Sequence, residues 1–96
     1  MKKIIGTRGI GKSARLIEYA IKNDCIVLTH YPAGLRELAR KMGVSDRIEV
    51  LPYSAYQIEE LEQSNTPYVV DCMDMFLKLL FRNMKGYTLD LEVYDE

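Results

Sequence analysis

Gly6, Gly11, Lys12 and Ser13 stand at the spacing G-x-x-x-x-G-K-[ST], with Thr7, Arg8, Gly9 and Ile10 in the variable positions. That spacing is suited to anion binding. The glycines let the backbone bend so that successive N–H groups turn inward onto phosphate oxygens. A helix starting after the loop adds the positive end of its dipole. A lysine at position 12 would bridge the β- and γ-phosphates of a nucleotide, and a hydroxyl at position 13 would ligate Mg²⁺. Asp71, closing the apolar run Pro67-Tyr68-Val69-Val70, is the second chemistry-bearing residue. A strand-end carboxylate opposite such a loop holds the same Mg²⁺, usually through water. Asp71 also precedes an apolar helix, so a helix N-cap is the alternative to the favoured metal role, and the two can coexist. Asp74 lies three residues on, on roughly the same helical face, where it could act through a water. Arg8 and Arg82 are candidates to stabilise charge on a γ-phosphate.

These residues need elements to hold them. Lys2-Lys3-Ile4-Ile5 reads as a short strand entering the loop, and Leu16, Ile17, Ala20 and Ile21 form the apolar stripe of a helix leaving it. Cys25-Ile26-Val27-Leu28-Thr29 is a continuous apolar run, the mark of a parallel strand buried on both faces. His30 and Tyr31 follow at its carboxyl end, the side on which open α/β sheets bind ligands. Pro32 opens a helix carried by Leu35, Leu38, Ala39 and Met42, and Gly43 stops it. Ile48 to Leu51 is a third strand, and Ser54-Ala55-Tyr56-Gln57 resembles a capping box opening a helix to about Glu62. After the strand ending at Asp71, a helix from Met73 to about Met84 is apolar nearly all round and therefore needs cover on several sides. Tyr87 to Tyr94 alternates as a half-exposed strand does. The expectation is one α/β domain over residues 1–96. It would be a three-layer fold with a mainly parallel sheet of about five strands and helices on both faces.

The chain has 96 residues and a net charge of −1, with ten Lys and Arg against four Asp and Glu in residues 1–47 and three against ten in residues 48–96. A basic first half suits phosphate and could reach a nucleic-acid backbone. Without a dense basic run or interleaved aromatics, mutual neutralisation of the halves is the favoured reading. No apolar run is long enough to span a bilayer, and the first residues are too poor in apolar groups for a signal peptide. Cys25 and Cys72 lack metal-ligand spacing and read as reduced thiols of a cytoplasmic protein.

Gly6 to Ser13, the strand ending in Asp71 and the alternation of strands and helices together resemble the P-loop NTPases. More narrowly, the chain looks like one RecA-type core of the helicases, with Asp71-Cys72-Met73-Asp74 where those carry D-E-x-D and Tyr87-Thr88-Leu89 where a coupling motif falls. It is similar in layout to short stand-alone P-loop proteins of bacteriophages. The resemblance implies ATP and Mg²⁺ as ligands, Lys12, Asp71 and Asp74 in catalysis, and Ser13 and Asp71 at the metal. Cys72 departs from it, standing where helicase-like proteins place the glutamate that orients water, so the implied hydrolysis is slow or partner-stimulated. A protein-binding module on the same scaffold and a small-molecule phosphotransferase are the alternatives. Helix 73–84 would dock a second copy or another protein, with Met75 and Phe81 as anchors.

Overall fold

The computed structural model describes residues 2–5 and 11–89. Its elements in chain order are α1 (Lys12–Lys22), β1 (Ile26–Thr29), α2 (Pro32–Lys41), a 3₁₀ turn (Ser45–Arg47), β2 (Val50–Pro52), α3 (Ala55–Gln63), β3 (Tyr68–Val70) and α4 (Met73–Leu80). The described strands form one parallel sheet in the order β2-β1-β3, with β1 central. Pro52 sits on the edge strand β2, where its missing N–H costs the sheet no ladder bond.

The sheet corrects the expected fold. Three strands are present among the described residues, too few for a three-layer sheet of about five. Lys2 to Ile5 is irregular, with Ile5 48% exposed, so this stretch lacks the burial on both faces that a central parallel strand needs. Tyr87 to Leu89 is likewise irregular and exposed, and the rest of that expected strand, residues 90–94, lies outside the described residues.

The largest buried cluster sits on one face of the sheet, while Leu28 of β1, fully buried on the other, and Leu61 of α3 lie outside that cluster. Ile17 and Ala20 of α1, Leu35 and Ala39 of α2, Val27 of β1 and Val50 of β2 form a single buried cluster, with Val69 of β3 packed against it. The register pairs Val27 with Val50 on one side and Val69 on the other, which puts all three on the face that α1 and α2 cover. Burying an aliphatic side chain the size of Ile17 stabilises the fold by about 1.5–3 kcal/mol.

Local chemistry sets the helix ends. Pro32 occupies the first turn of α2, and Gly43 follows its end at φ 76°. Ser54 caps α3, its hydroxyl accepting from the Gln57 amide at 3.0 Å. α4 ends at Leu80 rather than near Met84, because Phe81 leaves helical geometry (φ −125°, ψ 64°) and a turn follows. No described helix is long and apolar enough to cross a membrane.

Candidate functional site

Parallel strands in register bring equivalent residues abreast with side chains on the same face. Leu28 pairs with Val70, and the Asp71 amide extends that ladder by donating to the Leu28 carbonyl at 2.8 Å. Thr29 and Asp71 therefore end their strands side by side, on the face that carries Val27, Val69 and α1. The first turn of α1 meets them there.

The Ser13 hydroxyl donates to Asp71 Oδ1 at 3.0 Å, across 58 residues of chain. Thr29 Oγ1 donates to Asp71 Oδ2 at 3.1 Å and accepts from the Tyr31 amide at 3.3 Å. Both carboxylate oxygens are thus held by hydroxyls, one from the loop–helix junction and one from the central strand. Asp71 does not cap α4. The N-cap is Cys72, in the left-handed region at φ 63° and ψ 75°, with no side-chain cap bond. The Tyr53 hydroxyl donates to the carbonyls of Asp71 and of Cys72, the latter at 2.9 Å, and ties the segment after β2 to this turn. Burial pushes the Tyr53 hydroxyl well above its ordinary range, with further upward contributions from Cys72 and Asp71. Its ring stands edge-on to Phe76 at 5.3 Å and tilted to His30 at 6.1 Å.

The opposite wall is the start of α1. Gly11 is its N-cap at φ 77° and ψ 23°, a left-handed conformation that favours glycine. The helix begins with neither a side-chain cap nor an acidic residue in its first turn, so its positive end faces the Ser13–Asp71 pair uncompensated by an acid of its own. Gly6, Thr7, Arg8, Gly9 and Ile10 lie outside the described residues.

The oxygens present suit a hard divalent cation. Two neighbouring ligands of an octahedral Mg²⁺, each at about 2.1 Å, stand about 3 Å apart, and Ser13 Oγ and Asp71 Oδ1 are separated by 3.0 Å. Ser13 can keep its proton on Asp71 while offering a lone pair to the ion. Among the described residues no cluster of three His, Cys, Asp or Glu side chains is placed to hold a metal. Mg²⁺ commonly takes only one or two protein ligands, the remainder being phosphate and water.

The sequence-predicted residues fall into two groups. Ser13 and Asp71 come together. Asp74 is exposed in the first turn of α4, where its Oδ1 accepts from the Tyr87 hydroxyl at 2.7 Å. Cys72 is exposed beside the pair, and His30 and Tyr31 stand exposed at the carboxyl end of β1. Thr29 and Tyr53 are additions that pattern reasoning passed over. A surface hollow bounded by Leu80, Phe81, Arg82, Asn83 and Met84 includes none of these residues, and it is not the candidate site.

Comparison of the chain with protein-family models, with curated proteins and with solved structures finds no match in any of the three.

Proposed function

We propose that the protein binds ATP with Mg²⁺ through Gly6 to Ser13 and Asp71, in the manner of P-loop NTPases, and hydrolyses it slowly or on contact with a partner. The observation that carries this reading is the 3.0 Å bond between Ser13 and Asp71. Two residues singled out by their chemistry, far apart in the chain, meet at the start of α1. Lys12, the residue before Ser13, supplies the charge for the β- and γ-phosphates. Bound Mg²⁺ would neutralise phosphate charge. The chain's own part is to hold the triphosphate on backbone N–H groups and to fix the cation's position with Ser13 and Asp71.

Slow turnover follows from Cys72, which offers a thiol where a water-orienting carboxylate would stand. Asp74 is the remaining candidate for that task and would first have to leave Tyr87. A guanine-reading N-K-x-D motif does not occur in the sequence, which favours ATP over GTP. Cys25 and Cys72 are free thiols, in keeping with a reducing cytoplasm, and the likeness in layout to short phage P-loop proteins is what suggests a small accessory role.

A protein contact belongs to the same reading. α4 buries none of its residues fully, and Met73, Leu79, Phe81 and Met84 are 41–54% exposed. A second copy or another protein docking there would cover them. Met75, by contrast, is already partly buried, so Phe81 is the better anchor.

Calorimetric titration with ATP–Mg²⁺ and GTP–Mg²⁺ tests the central claim, with Lys12→Ala as the comparison. Binding by the parent and none by the folded variant is expected. Equal ATP binding by both would overturn the reading.

A further inference from the structure

Among the described residues Thr29 is the one buried polar side chain, 1% exposed, and it belongs to no phosphate-binding pattern. A hydroxyl in that position must be hydrogen-bonded, and its partners fix the direction of the proton. The Tyr31 amide can only donate, so it takes a lone pair of Thr29 Oγ1. With one lone pair taken by that amide, the Thr29 hydroxyl donates to Asp71, and its proton points at Oδ2. Ser13 donates to the other oxygen, Oδ1. Donation runs from Tyr31 through Thr29 to Asp71 and, from the other side, from Ser13 to Asp71, so both hydroxyl protons converge on the carboxylate.

We infer that Thr29 is a positioning residue that sets the Asp71 carboxylate for a divalent cation without touching the ligand itself. The inference rests on the nucleotide–Mg²⁺ reading of the site. Its physical content is a division of labour between two hydroxyls. Ser13 is the group a cation would recruit, and it sits at the partly exposed end of the pair, in the first turn of a helix. Thr29 is in the central strand, buried, and anchored in turn by a backbone amide. Its hold on Oδ2 stops the carboxylate from rotating when Ser13 turns its lone pair to the ion. Each carboxylate oxygen keeps a free acceptor direction for the ion or its water. Hydrogen-bonded partners of a metal ligand commonly set affinity in this way.

The test separates cation dependence from nucleotide binding as such. Thr29→Val is nearly isosteric and removes only the hydroxyl. ATP affinity measured in EDTA is expected to match the parent, while the tightening produced by Mg²⁺ shrinks about tenfold or more. Thr29→Ser, which keeps the hydroxyl, should restore the Mg²⁺ effect. In the ligand-free protein, amide exchange at Tyr31 should quicken in Thr29→Val and not in Thr29→Ser. If Thr29→Val does not fold, Thr29→Cys carries the same comparison, since a thiol has similar bulk and donates weakly. A parent that binds no ATP sinks the nucleotide reading, and this inference with it. If the parent binds and Lys12→Ala does not, an undiminished Mg²⁺ effect in Thr29→Val overturns the Thr29 inference alone. Equal weakening with and without Mg²⁺ also overturns it, because that is the behaviour of a merely structural residue.

Discussion

Removing the Asp71 carboxylate probes the hydrogen-bond frame with no ligand present. Asp71 accepts from Thr29 at 3.1 Å and from Ser13 at 3.0 Å. Thr29 is 1% exposed and Asp71 is the acceptor the fold gives its proton, so Asp71→Ala strands that hydroxyl within the fold. An unsatisfied buried hydroxyl costs about 1–3 kcal/mol. Ser13, only partly buried, can turn to solvent and gives up about 0.5–1 kcal/mol. The expected total is roughly 1.5–4 kcal/mol, a fall in Tm on the order of 10 °C or more for a domain of this size. Thr29→Val leaves a partly exposed carboxylate that water can serve, at about 1 kcal/mol. In the double variant two apolar groups face each other and the buried Thr29 hydroxyl is no longer there to be stranded, so its cost should fall short of the sum by about 1 kcal/mol. Urea unfolding of the four proteins closes the cycle, provided their m values agree. Additivity within about 0.5 kcal/mol would show that the Thr29–Asp71 bond contributes nothing, and the frame described here would be wrong.

Three further outcomes are expected. The Tyr53 hydroxyl is raised above its ordinary value of 10.0, by burial first and then by Cys72 and Asp71, so its contribution is complete below that value and is lost as pH climbs toward the folded one. The urea midpoint should therefore fall above about pH 10, and less steeply in Tyr53→Phe, the comparison that removes the shared effect of the other tyrosines. Cys72→Gly should raise stability by about 0.5–1 kcal/mol by relieving a side chain at φ 63°, and an unchanged or lower thermal midpoint would count against strain at the turn. Gly43→Ala should lower stability by about 1–2 kcal/mol although a Cβ there meets nothing within 4 Å, because the φ of 76° alone opposes it; a neutral result in chemical denaturation would contradict that.

The elements that could be read from sequence were those in which pattern and burial coincide. Ile26 to Thr29 is an unbroken apolar run and becomes the central strand; Leu35 and Ala39 keep helical spacing and are buried in α2. Pro32, Gly43 and Ser54 mark helix ends through constraints internal to the chain, and each is found in that role. The expected outer strands had pattern without a demonstrated neighbour. Lys2-Lys3 leaves only two apolar residues before Gly6, and the alternation beginning at Tyr87 puts Tyr87 and Leu89 in solvent, 53% and 60% exposed. Alternation shows that a strand is possible; only a free edge with apolar cover makes it form. The same limit applies to α4, whose apolar residues were legible while the place where the helix ends was not, since Phe81 carries no breaker signal of its own.

At the site, Ser13 and Asp71 were legible because each belongs to a spacing with a chemical purpose. Thr29 was not, although a signal was present. A hydroxyl closing a strand buried on both faces has no water to turn to and must find an acceptor within the fold. In a parallel sheet the nearest acceptor is a polar residue ending the neighbouring strand, and Asp71 was already the one strand-ending carboxylate in view. Identifying that neighbour required the strand order β2-β1-β3, which no local pattern carries. Tyr53 gave no comparable signal. Its hydroxyl reaches two backbone carbonyls at a turn eighteen and nineteen residues downstream, and that contact depends on how β2, β3 and α4 are placed together. Spacing therefore exposed the groups suited to meet a ligand. The groups that hold them became visible only once register had set the strand ends abreast.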